Sequence, residues 1–133
     1  MHSDILFETN RFNLSEVKDH FINPCCFGED LAAWLRGALA QKGITASEPG
    51  QEDWGWCLGL THEGASYIIG VGGNSSESAS DPNHGEWRII LGKHRSLWDK
   101  LTGKNRQTAD DPVSVVILEI LRSQPDFQNV HCE

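Results

Sequence analysis

The most regular alternation of large and small side chains in this sequence occupies residues 52–60: Glu52-Asp53-Trp54-Gly55-Trp56-Cys57-Leu58-Gly59-Leu60. Successive side chains of an extended strand point to opposite faces of a sheet. The alternation therefore predicts one strand with two tryptophans and two leucines on one face, and mainly glycine and cysteine on the other. We expect this stretch to be the central strand of a small sheet.

The segments around this stretch predict further strands and two helices. Residues 66–72 and 86–93 alternate in the same way, and the Glu63-Gly64 pair is typical of a hairpin turn. Apolar side chains at helical spacing predict one helix over residues 28–42 and a second that begins at Pro112.

Three weaker strand signals lie at residues 5–15, 44–48 and 127–131. Residues 73–85 are rich in serine, glycine and asparagine and hold no large apolar side chain, which predicts a mobile loop. A loop of this length in a small domain is often functional.

These segments predict an α+β fold in which an antiparallel sheet of about four to five strands carries two helices on one face. The order of elements, β-α-β4-α, is similar to the layout of TATA-binding-protein-like folds. A length of 133 residues is typical of one domain, so we assign residues 1–133 to a single domain.

The charge of the chain restricts its partners. There are 11 basic and 19 acidic residues, which gives a net charge of −8. Nucleic acid requires a basic surface, so this balance argues against a nucleic-acid binder. No apolar run reaches the roughly 20 residues of a membrane span, and the first residues form no basic leader. We therefore expect a cytoplasmic protein without a membrane partner.

The aromatic strand supplies the first candidate ligand-binding residues. If the helices cover the glycine face, Trp54, Trp56 and Trp87 form an exposed platform, with Glu52 and Asp53 at its mouth. If the helices cover the other face, the tryptophans belong to the core. We favour the core, because a large exposed apolar patch is costly unless it binds a partner.

A second candidate surface is the basic segment 88–106. It holds six of the 11 basic residues and a single acidic residue. Within it, Arg88, His94 and Arg95 are candidates for binding a phosphate or an acidic partner. A solvated charged turn is the simpler alternative, and we favour it. If the segment does bind, it predicts a protein or a small anionic partner.

Four cysteines are candidates for thiol chemistry: Cys25, Cys26, Cys57 and Cys132. Cytoplasmic thiols stay reduced, and the adjacent pair precedes a helix start, where the helix dipole favours a thiolate. We favour inert thiols, because free cysteines are among the most buried residues. Adjacent cysteines lack the Cys-x-x-Cys spacing of a zinc site, so we expect no metal ligands. No cofactor motif is present, and we expect no cofactor.

One short motif resembles a known group of proteins. Glu52-Asp53-Trp54-Gly55-Trp56, after a helix that opens with Phe27-Gly28-Glu29-Asp30-Leu31, looks like a motif of small bacterial proteins of unassigned function. The resemblance covers residues 23–92 and implies a bacterial cytosolic protein. It implies no catalytic residues.

Three functions stay open from the sequence. The first is a non-catalytic protein-interaction or small-ligand-binding module, which we favour. The second is a small thiol-dependent enzyme that uses Cys25/Cys26 or Cys57 with a histidine. The third is an immunity or antitoxin-type protein, which acidic charge and small size permit.

Overall fold

The computed structural model describes residues 3–22, 26–52, 55–75, 84–94 and 112–132. Within these residues the chain forms six strands and two helices. In chain order they are β1 (Ser3–Thr9), α1 (Glu29–Gln41), β2 (Gly50–Glu52), β3 (Gly55–His62), β4 (Ala65–Ser75), β5 (Gly85–His94), α2 (Pro112–Arg122) and β6 (Gln128–Cys132). The predicted α+β class with an antiparallel sheet and two helices is confirmed, whereas the predicted count of four to five strands is wrong.

The six strands form one sheet in the order β2-β3-β4-β5-β1-β6, and all pairs are antiparallel. Strands β2 to β5 follow the chain as a meander. Strand β1 lies between β5 and β6, although it comes first in the sequence. The likeness to the TATA-binding-protein layout, which was based on the order of elements, is not confirmed.

The pairing of β2 with β3 corrects the single strand predicted over residues 52–60. Glu52 pairs with Gly55, and Gln51 pairs with Trp56, so the chain reverses its direction between Glu52 and Gly55. The alternation from Trp56 onward belongs to β3 alone. The short strand predicted over 44–48 is only a single bridge, from Ala46 to Leu60.

Both helices contribute to the core on the face of the sheet that carries Trp56 and Trp87. These two side chains are only 4% and 0% exposed, and they share one apolar cluster with both helices. The helical members of the core are Leu31, Ala32, Leu35, Leu39, Val113, Ile117, Ile120 and Leu121. Our expectation that the tryptophans are core is thus confirmed for Trp56 and Trp87, whereas Trp54 lies outside the described residues.

The two helices and the hairpin turn agree with the sequence patterns. Helix α1 lies within one residue of its predicted bounds, and Gly43 after it has the left-handed backbone of a helix terminator (φ 82°). Helix α2 begins at Pro112, as predicted. Glu63 and Gly64 both have positive φ, as a two-residue hairpin turn requires.

The loop predicted over residues 73–85 is shorter than expected at both ends. Strand β4 continues to Ser75, and β5 begins at Gly85. Residues 76–83, the middle of that prediction, lie outside the described part of the chain.

One glycine sets the fit between β4 and β5. Gly73 pairs with Trp87, and the indole ring packs against the glycine backbone. An alanine Cβ at residue 73 would lie 2.5 Å from the nearest ring carbon of Trp87. A side chain at this position would therefore push the buried ring out of its place.

Replacement of Gly73 by alanine is expected to lower the free energy of unfolding by about 1–3 kcal/mol, the usual cost of overpacking a core. Urea unfolding followed by tryptophan fluorescence measures this change. The matched control is Gly37→Ala in α1, where an added Cβ meets no atom within 4 Å. The free energy of unfolding of that variant should rise by up to about 1 kcal/mol, because alanine has a higher helix propensity than glycine. Equal effects of the two variants would contradict this account.

An ion pair connects the residues just after β1 with the segment between α2 and β6. The Arg11 guanidinium donates to the Asp126 carboxylate and lies 4.4 Å from the centre of the Phe127 ring. It also donates to Gln124 Oε1 at 3.1 Å. Hydrogen bonding from Arg11 lowers the pKa of Asp126 below its ordinary value.

This contact predicts a loss of stability in acid. A carboxyl group with a lowered pKa stabilises the fold above its unfolded pKa, and this contribution disappears as pH falls through the folded value. Asp126→Asn should therefore have a lower free energy of unfolding than the wild type near neutral pH. The gap between the two free energies should close below pH 3.8, the ordinary pKa of this carboxyl group. Thermal melting of both proteins across this range checks it, and a gap that does not change with pH would refute it.

Candidate functional site

The tryptophan of β3 is held in place by contacts within the protein. Its indole Nε1 donates to the Cys26 carbonyl oxygen at 3.0 Å. The rings of Phe21 and His20 lie at 5.3 and 6.3 Å from the indole ring. The His20 imidazole is bonded in turn to the Glu29 carboxylate at 2.6 Å. The structure therefore places Trp56 in a packed cluster rather than on a platform open to solvent.

The opposite face of the sheet carries smaller and more polar side chains. The helices pack on the tryptophan face, and the alternation of each strand sends every second side chain to the other side. On β5 these are the exposed Glu86 and Arg88 and the half-buried Ile90. On β4 they include Asn74 and the exposed Ile68. We call this surface the open face.

A cavity of about 360 Å³ lies on the open face, where β4 ends and β5 begins. The described residues that line it are Gly72, Gly73, Asn74, Glu86, Trp87, Arg88 and Ile90. In the strand register Gly72 pairs with Arg88 and Asn74 pairs with Glu86, so two adjacent strands build the site. Small-molecule sites commonly have volumes of about 300–1,000 Å³, and this cavity falls within that range.

The charged groups on this face are not balanced. Arg88 Nη1 lies 3.3 Å from Asp4 Oδ2, which gives the guanidinium an acidic partner on the neighbouring strand. Glu86 stands directly opposite Glu8 in the pairing of β5 with β1. Glu8 accepts a hydrogen bond from the Asn129 amide. Among the described open-face residues of β1 and β5, three carboxylates thus accompany a single guanidinium.

The structure brings few of the predicted site residues together. Arg88 lines the cavity, whereas the Trp87 ring turns to the core. His94 ends β5, six residues from Arg88 or roughly 20 Å along a strand, and its side chain lies outside the described part. Asp53, Trp54 and Arg95 lie outside it as well.

Glu52 lies near the cavity but not in it. It pairs with Gly55, and an added Cβ on Gly55 would be 3.5 Å from the Gly72 Cα. Glu52 is thus two strands away from the lining of the cavity, or about 10 Å.

The sequence analysis missed Glu86, Asn74 and Gly72. The signal for Glu86 was available, because it alternates with Trp87 and therefore lies on the face opposite the core. Asn74 and Gly72 fell in or beside the predicted loop. Only the pairing of β4 with β5 shows that they lie beside Glu86 and Arg88.

The described thiols are poorly suited to nucleophilic chemistry. Cys26 is disulfide-bonded, which shows that the expectation of reduced cysteines is wrong for this residue. Cys57 and Cys132 are free, and Cys25 lies outside the described residues. Burial raises the pKa of the Cys57 thiol, and the Glu52 carboxylate beside it, 3.7 Å from the sulfur, raises it further. A raised pKa leaves less of the reactive thiolate at neutral pH.

Two further features are absent from the described residues. No group of three or more histidine, cysteine, aspartate or glutamate side chains is arranged to hold a metal ion there. No helix of the described residues has the length and apolar character needed to cross a membrane.

Cys57 is expected to react with iodoacetamide more slowly than free N-acetylcysteine at pH 8, because less of it is thiolate. Glu52→Gln should speed the reaction, since removal of the carboxylate charge lowers the thiol pKa. The rates should be measured in a Cys132→Ser background by peptide mass mapping, which separates Cys57 from other thiols. Equal rates with and without the Glu52 charge would show that the carboxylate does not act on the thiol.

Comparison with protein-family models, with curated proteins and with solved structures finds no match for this chain. The resemblance to small bacterial proteins with a Glu52–Trp56 motif therefore stays a prediction.

Proposed function

We propose that the protein is a non-catalytic module that binds a small ligand in the cavity between β4 and β5. The observation that carries this proposal is the cavity of about 360 Å³ itself, lined by polar side chains on the open face. Binding sites are typically concave, with an apolar floor and a few polar groups that orient the ligand.

The position of the cavity in the sheet supports this role. Strands β4 and β5 are the two central strands, and they pair with each other from Ser66 opposite His94 to Ser75 opposite Gly85. Side chains on such strands hold their geometry better than side chains on loops. Gly72 exposes its backbone to a ligand, and Ile90 offers an apolar surface beside the polar groups.

The alternative of a thiol enzyme receives less support. Neither a cysteine nor a histidine is among the described lining residues of the cavity. Cys57 has a raised pKa and Cys26 is in a disulfide, as described above. For the protein-interaction and immunity-type alternatives, no specific observation favours either one.

The expected cytoplasmic location also stays a prediction. The expected small anionic partner follows from the basic segment 88–106, and Arg88 is the one basic residue of that segment whose side chain the structure describes.

A fragment library screened by two-dimensional amide NMR tests the proposal. We expect hits that shift the amide signals of residues 72–74 and 86–90 together. Asn74→Trp should abolish these shifts, because an indole at this exposed rim position fills the cavity. Ile68→Trp is the matched control, since Ile68 is 61% exposed on the same strand and the same face but outside the cavity.

Two outcomes of the screen would contradict the proposal. Hits that survive in Asn74→Trp, or that scatter over the surface without a common set of amides, would show that the cavity is not a binding site. A melting temperature for Asn74→Trp close to that of Ile68→Trp shows that the loss of binding does not reflect unfolding.

A further inference from the structure

We propose that the ligand of this cavity is a small organic cation, a primary amine on a short apolar chain. The inference rests on the proposed function, because it names the ligand class of the same site. It replaces the small anionic partner that the basic segment alone suggested.

Side-chain oxygen acceptors form a row across the open face. Glu8 on β1 stands opposite Glu86 on β5, and Glu86 stands opposite Asn74 on β4. Directly opposed side chains in a sheet have Cβ atoms about 4.5–5.5 Å apart, and like charges there are destabilising. Glu86 and Asn74 both line the cavity. An ammonium group seated here would relieve the repulsion and donate hydrogen bonds to the side-chain oxygens of Glu86 and Asn74.

Arg88 is the single basic group among the described lining residues. The Arg88 guanidinium is already 3.3 Å from the Asp4 carboxylate, so its charge is compensated within the protein. Among the described residues, neither Glu8 nor Glu86 forms an ion pair. The charge that the described residues present to a ligand in the cavity is therefore negative, and the net charge of −8 adds to it.

The cavity also offers a surface for the apolar part of the ligand. Beyond the acceptors the cavity is bordered by the Gly72 backbone and the half-buried Ile90. A short alkyl chain would lie on this surface and remove it from water. A bare metal ion gains nothing from such a surface, so the arrangement favours an organic cation.

The test is a titration of the folded protein with three matched probes: pentylamine, pentane-1,5-diamine and pentanoate. Amide NMR shifts of residues 72–74 and 86–90 report binding, and calcium chloride at equal ionic strength reports a general cation effect. We expect both amines to bind and pentanoate to leave the signals unchanged. Glu86→Gln should weaken amine binding about tenfold or more, which corresponds to the loss of a charged hydrogen bond. Glu119→Gln, an exposed change on α2, should leave it unaltered.

Two results would overturn the inference: pentanoate binding at least as tightly as the amines, or calcium causing the same shifts as the amines. Amine binding that is unaltered by Glu86→Gln would overturn it as well. If anionic fragments bind and Asn74→Trp abolishes their binding, the proposed function stands and only the ligand class is wrong. If no probe and no fragment binds in the cavity, both fail.

Discussion

The contact on which the sheet depends is the packing of the Trp87 ring on Gly73. It needs the one residue type without a side chain on β4, directly opposite the largest side chain of β5. It thereby fixes the register of the two central strands. A slip of one residue would turn the core side chains of a strand to the solvent. The same register sets Gly72 beside Arg88 and Asn74 beside Glu86, so the core contact also builds the cavity on the opposite face.

This core contact carries a cost. The Trp87 indole N–H is buried and has no hydrogen-bond partner among the described residues, and the same holds for the hydroxyl of Ser114 on α2. An unsatisfied buried polar group costs about 1–3 kcal/mol. Burial of the whole ring and its edge-to-face contact with Phe12, at 5.8 Å between ring centres, act against that cost. The position therefore keeps a tryptophan for its shape rather than for its polar group.

The sequence predicts the parts of this fold that are local. The stripe of α1, the proline at the start of α2 and the turn at Glu63-Gly64 each lie within one segment, and periodicity finds them. The reversal between Glu52 and Gly55 was missed because an unbroken alternation looks the same in one strand as in two. The cavity was missed because its walls, Gly72 and Arg88, are 16 residues apart and meet only through strand pairing.

Strand β1 lies between β5 and β6, and its pairings join residues farther apart in the chain than the other strand pairings do. These pairings also have the largest chemical consequence. The pairing of β1 with β5 places Glu8 opposite Glu86, residues 78 positions apart in the chain, and Asp4 within reach of Arg88. One pairing therefore neutralises the only basic group that the described part of the lining contains and doubles the acidic charge beside the cavity. Opposed carboxylates weaken a sheet, and local rules are broken in natural proteins mainly at functional sites. The unfavourable pair is thus an argument for a ligand beside β5, one that brings the positive charge that the described residues do not supply there.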